Sequence, residues 1–150
     1  MGRPNRQRRP SLKPHPIPLR RRIIQQARLL VFNRDELAFL SEALDIQEGA
    51  AAEDALNALK RETGAVLVMT DGRAGCRVIW PAGDTAIPAN PIDVEDPTGV
   101  GDAFFAAFLS ATIRGQSPPQ AAERATAFAS TFLQRRAGTA VTTQVRRETS

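Results

Sequence analysis

Two closely spaced glycines just before an apolar stretch constrain this chain of 150 residues more than any other feature. Gly99 and Gly101 allow the backbone to turn tightly and to approach a ligand. The apolar stretch from Ala103 to Leu109 predicts a buried helix, so amides beside the glycines would point out of a helix N-terminus, where phosphate is favoured. Asp102 directly follows the second glycine and is placed to take a proton from a hydroxyl. The run predicts an anion-binding turn with a base beside it.

The same run resembles a family signature. Its letters DPTGVGDAF, at positions 96–104, are similar to DTTGAGDAF, the usual second signature of ribokinase-like (PfkB-type) carbohydrate kinases. Pro97 and Val100 are the two departures. The alternative is a plain glycine turn that caps a core helix. Seven matched positions followed by an apolar helix favour the kinase interpretation.

The resemblance implies roles for the signature residues. The amides of Gly99, Val100 and Gly101 would form an anion hole for the transferred phosphoryl group. Asp102 would be the catalytic base. Thr98 would contact the nucleotide phosphates, and Asp96 would lie near a monovalent cation such as K⁺.

A second motif is Asn33-Arg34-Asp35-Glu36, directly after the apolar run Leu29–Phe32. It resembles the family's Asn-x-x-Glu motif, which implies that Asn33 and Glu36 organise Mg²⁺, through water, beside the nucleotide phosphates. Amide and carboxylate oxygens are suitable ligands for this ion or for its water shell. The alternative is a capping box at a helix start. The same two residues can fill both roles.

A third motif is the turn from Thr70 to Gly75, after the apolar run Val66–Met69. It resembles the family's Thr-x-Gly-x-x-Gly turn, which implies that Thr70, Gly72 and Gly75 lie against ATP phosphates. The alternative is an ordinary hairpin turn built on Asp71-Gly72. The three motifs occur in the family's order, which favours the nucleotide site.

Apolar runs and helical periodicity alternate along the chain and predict an α/β domain of the ribokinase-like layered type with a mostly parallel sheet. We expect helices at 34–44, 48–61, about 100–114 and 118–136, the second of them ended by Gly64. We expect strands at 29–32, 65–69, 76–80, 85–88 and 140–143, and the end of a further helix at 23–28.

The resemblance runs from about Ala27 to Thr143 and corresponds to the C-terminal portion of a family member, so the fold would be partial. Relatives phosphorylate ribose, fructose, ketodeoxygluconate, inositol or nucleosides. The residues that select among these would lie in the missing N-terminal half. Expected partners are ATP, a small sugar-like substrate, and either that missing half or a second copy in a homodimer.

Charge is distributed unevenly along the chain. Ten of the twenty Lys and Arg residues lie in positions 1–34, whereas residues 35–150 carry ten basic and sixteen acidic groups. We therefore divide the chain into a Pro/Arg-rich disordered arm, 1–22, and a nucleotide-binding portion, 23–150. A nucleic-acid-binding arm is the alternative, but no aromatic residue lies among its arginines before Phe32.

The composition argues against several kinds of functional site. A single Cys76 and a single His15 argue against disulfides and against Cys or His metal sites. No run is long and apolar enough to span a membrane. We expect a cytoplasmic, ATP- and Mg²⁺-dependent carbohydrate kinase. An inactive remnant or interaction module that keeps the fold, and a basic nucleic-acid-binding protein, are the alternatives.

Overall fold

The computed structural model describes residues 17–46, 51–90, 92 and 97–148. These residues form five α-helices and four strands. In chain order they are α1 (Ile17–Gln26), β1 (Leu29–Asn33), α2 (Arg34–Ala43), α3 (Ala52–Thr63), β2 (Val66–Thr70), β3 (Cys76–Trp80), β4 (Gly83–Ile87), α4 (Val100–Ile113) and α5 (Pro118–Glu148). A 3-10 turn, Gly72–Ala74, joins β2 to β3.

The four strands form one sheet in the order β1-β2-β3-β4. Strands β1 and β2 are parallel, because two helices separate them in sequence and carry the chain back to the same edge. The pairs β2-β3 and β3-β4 are antiparallel, because each is joined by a connection of a few residues. The α/β expectation and the predicted meander are confirmed, but parallel pairing is the minority arrangement in the described sheet.

Helices cover both faces of the sheet. Strand side chains alternate between the faces, so Leu67 and Met69 join one core cluster and Val68 joins the other. The first cluster packs under α1, α2 and α3, and includes Leu56 and Leu59. The second packs under α4 and α5. Its helix residues are Phe104, Phe108, Ala111, Ala121, Ala122 and Ala125. The protein is therefore a three-layer α/β/α structure, which agrees with the layered α/β fold predicted from the sequence.

The ends of α2 and α3 follow the sequence signals. The Asn33 side chain accepts a hydrogen bond from the Glu36 amide, and the Glu36 carboxylate accepts one from the Asn33 amide, each at 2.9 Å. This is the predicted capping box. Helix α3 ends at Gly64, which adopts a left-handed conformation with φ 63°. Residues 47–50, where α3 was expected to begin, lie outside the described residues.

The N-terminal region differs from the prediction. Residues 17–22, assigned to the disordered arm, belong to α1. Arg21 bonds Asp45 at 3.0 Å and also contacts Glu62 on α3. The Arg20 guanidinium lies 4.8 Å from the centre of the Phe39 ring. These two arginines therefore anchor α1 to neighbouring helices. Residues 1–16 lie outside the described part of the chain, and the disorder of that arm stays a prediction.

The expected last strand at 140–143 is wrong, because these residues belong to α5, which runs to Glu148. Pro118 and Pro119 lie in the first turn of α5, where proline is tolerated, and no proline follows them before Glu148 that would break the helix.

Helix α4 is not buried all round. Its buried side carries Phe104 and Phe108, whereas Phe105, Leu109 and Ile113 are 43%, 39% and 77% exposed. The exposed residues are four positions apart and lie on one side of the helix. The expectation of a fully buried helix fails because the sheet and α5 cover only part of its surface. Among the described residues, no helix is long and apolar enough to cross a lipid bilayer.

Candidate functional site

Two of the predicted motifs meet at neighbouring strand ends. Asn33 and Thr70 are the last residues of β1 and β2, and they are register partners in the parallel pair. Arg34, which begins α2, bonds Asp71 through Nε at 3.3 Å and Nη2 at 2.6 Å. The hydrogen bond to Asp71 raises the pKa of the Arg34 guanidinium. This two-point contact ties the Asn33–Glu36 segment to the turn after Thr70.

The turn after β2 is built on its glycines. Gly72 has φ 50°, and a β-carbon there would meet nothing within 4 Å. Gly75 has φ 102°, and a β-carbon there would lie 2.0 Å from the Ile87 carbonyl oxygen. Gly72 is therefore required by backbone conformation alone. Gly75 is required in addition by the close approach of the chain beyond β4, a packing reason that the sequence motif did not reveal.

The turn before α4 also contains a glycine with a positive φ. Gly99 caps α4 in the left-handed region, with φ 84°. The Val100 amide donates to the Pro97 carbonyl oxygen at 3.1 Å, and the Ala103 amide donates to Gly99 at 3.0 Å. Val100 therefore already has an acceptor for the amide that was predicted to join the anion hole. The Gly101 amide lies in the first helical turn, where an α-helix supplies no carbonyl partner.

Asp102 lies on the first turn of α4 and is exposed. A carboxylate at this end of a helix interacts favourably with the helix dipole. Its exposure leaves it accessible to a hydroxyl from solvent or substrate. Position and accessibility are therefore compatible with the predicted role of proton acceptor.

One cavity joins the two glycine turns. Its volume is about 320 Å³. Thr70, Gly72 and Gly75 line it from the first turn, and Val100 and Gly101 from the second. The remaining wall is largely apolar. It consists of Arg73, Ala89, Asn90, Ile92, Pro97, Phe104, Thr126, Ala129, Ser130 and Leu133. A cavity with backbone donors at one end and an apolar wall suits a ligand with a charged group and a flat apolar body.

Other predicted residues lie around this cavity rather than in its wall. Asn33, Glu36, Thr98, Gly99 and Asp102 are not among its lining residues. The first two are connected to it through the β1-β2 register and the contact between Arg34 and Asp71. The next three lie within two positions of Val100 or Gly101 in the sequence. Asp96, and with it the predicted K⁺ site, lies outside the described residues.

Sequence reasoning missed several residues of the site. The cavity wall contributed by α5, which includes Thr126 and Leu133, could not be assigned because only folding brings this helix against the glycine turns. Arg136 was also missed, although its Nη1 donates to the Thr98 carbonyl oxygen. Cys76 is buried beside Thr126, and burial raises the pKa of its thiol, as expected of a core residue.

Mg²⁺ requires oxygen donors, and the predicted magnesium residues Asn33 and Glu36 carry an amide and a carboxylate oxygen. Among the described residues, no group of three or more His, Cys, Asp or Glu side chains could hold a metal. One Glu36 oxygen accepts the Asn33 amide, and the side chain is exposed. These residues do not form an all-protein cage. They fit an ion held mainly by nucleotide phosphates, with Glu36 and Asn33 contacting its water shell.

Comparison with known proteins identifies the family. Residues 5–144 match the model of the pfkB family carbohydrate kinases, and the chain belongs to this family. The match begins inside the segment predicted to be an arm. An inositol 3-kinase of Oryza sativa subsp. japonica is 41% identical over 56 residues, which are 37% of this chain and 14% of that enzyme.

Solved structures show the same fold. The ribokinase of Thermotoga maritima has a TM-score of 0.66 and 25% identity, over 73% of this chain and 36% of that chain. An aminoimidazole riboside kinase from Salmonella enterica, complexed with aminoimidazole riboside and an ATP analog, has a TM-score of 0.62 and 27% identity, over 75% and 38%. The predicted ribokinase-like fold is confirmed. The chain spans less than two fifths of the length of these relatives.

Proposed function

We propose that this chain carries the nucleotide-binding and proton-accepting part of an ATP-dependent kinase that phosphorylates a hydroxyl of a sugar or sugar-like substrate. The observation that carries the proposal is the cavity between the Thr70–Gly75 turn and the N-terminus of α4. It brings together, in three dimensions, two glycine motifs that are separate in sequence. Family membership supports the same class of chemistry.

ATP would lie with its base and ribose along the apolar wall and its phosphates toward the glycine turns. Ile92, Phe104 and Leu133 provide apolar surface for the flat base. The Thr70 hydroxyl donates to the Phe32 carbonyl at 3.4 Å. It would donate to a phosphate oxygen instead when the nucleotide binds. Gly72 permits close approach of the backbone.

The anion hole would use the amides of Gly99, Gly101 and Asp102. This differs from the prediction in one member, since the Val100 amide is directed at Pro97. Such amides stabilise charge on the transferring phosphoryl group without reorganising during the reaction. The Asp102 carboxylate would accept the proton of the substrate hydroxyl as its oxygen bonds to the γ-phosphorus and ADP leaves.

Mg²⁺, when bound, would neutralise phosphate charge, with Glu36 and Asn33 oriented toward its water shell. The capping box supports this role, because it holds the Glu36 side chain in one position at the start of α2. Asp96 is retained as the proposed contact for a monovalent cation such as K⁺. Both ions are proposals from the motif.

A first experiment is a thermal melt of the purified chain with and without Mg-ATP. A melting temperature that rises with Mg-ATP would support a folded nucleotide-binding unit. A cooperative melt that is unaffected by saturating Mg-ATP would contradict the proposal. Turnover would then be followed as ADP release, with ribose, fructose, inositol and nucleosides as acceptors and Asp102→Asn as the matched inactive variant.

Phosphoryl transfer by this chain alone is a separate question. The chain spans less than two fifths of its relatives, and one side of α4 exposes Phe105, Leu109 and Ile113. We propose that a further part of a kinase domain covers this side and supplies the sugar pocket. An inactive remnant that keeps the fold is the second candidate, favoured by the same observations. It predicts nucleotide binding without turnover for any acceptor.

Location and further partners follow from the same function. We propose the cytoplasm, since a buried lone cysteine needs no oxidising compartment. A homodimer is the alternative cover for the exposed side of α4. Sedimentation of the chain at increasing concentration would separate a homodimer from a monomer that awaits another segment.

A further inference from the structure

Helix α5 contacts the glycine turn through Phe132 and Arg136. Arg136 donates through Nη1 to the carbonyl oxygen of Thr98, across a sequence separation of 38 residues. Its guanidinium carbon lies 5.8 Å from the centre of the Phe132 ring. A β-carbon at Gly99 would lie 3.6 Å from Phe132 and 3.9 Å from Arg136 Nη1. Both side chains are therefore in direct reach of the turn.

This contact has a consequence for the next amide. The described residues contain no cis peptide bond. In a planar trans peptide the carbonyl and the following N–H point in opposite directions. Because Arg136 holds the Thr98 oxygen toward α5, the Gly99 N–H is directed away from α5. Neither Thr98 nor Arg136 lines the cavity, whereas Val100 and Gly101, which directly follow Gly99, do.

The Thr98–Gly99 peptide needs a contact that fixes its orientation, because the second residue is a glycine. Gly99 adopts φ 84°, but a glycine visits many other backbone conformations at low cost. Rotation of the Thr98–Gly99 peptide would move its N–H away from a bound phosphate without breaking the helix. A charged donor on the carbonyl selects one orientation, and a hydrogen bond from a charged group is among the stronger ones available.

We propose that Arg136 is a positioning residue, which holds the Thr98–Gly99 peptide so that the Gly99 amide faces the transferred phosphoryl group. This inference rests on the proposed function of the site. Arg136 acts through the peptide and not by touching the substrate. Since only the γ-phosphoryl group would use this amide, loss of Arg136 affects ATP and leaves ADP nearly unchanged.

The test compares nucleotide affinities by calorimetry for the wild-type chain and Arg136→Gln, with Mg²⁺ present. We expect the affinity for a non-hydrolysable ATP analogue to fall about tenfold, the effect of one lost charge-assisted hydrogen bond, and that for ADP to change less than about twofold. ADP with aluminium fluoride, which mimics the transferring group, should lose at least as much as the ATP analogue. Arg136→Lys keeps a charged donor and should recover part of the loss.

Arg124→Gln is the matched control. It makes the same change of charge on an exposed residue of α5, about 18 Å away along the helix at 1.5 Å per residue, and should leave both affinities unchanged. Equal losses of ATP-analogue and ADP affinity in Arg136→Gln would indicate a merely structural role and overturn the inference. Unchanged affinity for the ATP analogue would overturn it too. A wild-type chain that binds neither nucleotide would instead overturn the proposed function, and the inference with it.

Discussion

Replacement of Gly101 by alanine separates the folding role of the glycine turn from its binding role. Gly101 is the second residue of α4, it does not have a positive φ, and a β-carbon there would meet no atom within 4 Å. Alanine is favoured over glycine in helices by about 0.5–1 kcal/mol. The first helical turn is only partly constrained, so we take the lower value of about 0.5 kcal/mol. The melting temperature should then stay the same or rise by about 1–2 °C for a chain of this size.

The affinity of Gly101→Ala for Mg-ATP should fall, although its stability does not. Gly101 lines the cavity, so an added methyl group would occupy space through which a phosphate must approach the first amides of α4. Loss of one amide contact to a charged oxygen corresponds to about 1.5–3 kcal/mol, or about 10- to 100-fold in affinity. Calorimetric titration with Mg-ATP, together with a thermal melt of the same sample, measures both effects.

Gly64→Ala provides the converse control. Gly64 ends α3 at φ 63°, and it precedes β2, whereas the site lies beyond the other end of that strand. Alanine at this left-handed position should lower the melting temperature and leave ATP affinity unchanged. Gly101 does not have both assigned roles if Gly101→Ala binds Mg-ATP as tightly as the wild-type chain, or if it melts several degrees lower.

Three further predictions concern single side chains. Asp102→Asn should lower turnover about 10²- to 10⁴-fold in an ADP-release assay while calorimetry shows unchanged ATP affinity, and wild-type turnover would exclude Asp102 as the base. Glu36→Gln keeps an oxygen acceptor for the Asn33 amide, so the melting temperature should not change. The Mg²⁺ concentration needed for ATP binding should rise. An unchanged Mg²⁺ requirement would show that Glu36 serves only as a helix cap. Hydrogen bonding to Arg77 lowers the pKa of Asp84 below its ordinary 3.8, so this pair stabilises the fold above that pH and loses its effect as pH falls through the lowered pKa. The difference in urea midpoint between wild-type and Arg77→Gln should therefore shrink from pH 7 toward pH 3, and a constant difference would contradict this account.

Much of the local structure follows from local signals. Asn33 and Glu36 predict the start of α2 because a capping box needs only residues three positions apart. Gly64 predicts the end of α3 for an equally local reason. The second signature predicts the tight glycine turn and the helix after it, and the structure shows Gly99 left-handed there. These features depend on neighbours along the chain and can be predicted from sequence.

Other predictions failed where contacts between distant segments determine the structure. The exposed side of α4 could not be foreseen, since Phe105 and Phe108 are equally apolar and only the placement of the sheet and α5 distinguishes them. The strand predicted at 140–143 is helical, because an apolar and β-branched run of four residues does not by itself determine its secondary structure. Pairing direction in the sheet was likewise set by connection lengths rather than by strand composition.

The sequence by itself determined the family, the order of the three motifs and the residue types that phosphate chemistry requires, because each is written in a short run of neighbouring residues. The tertiary structure alone decided which of those residues share a cavity and which amides face it. It requires a glycine at position 75 because of Ile87, and it brings Arg136 to Thr98. These two contacts join segments that are separate in the chain, and only the packing of α5 and the sheet against the glycine turns produces them.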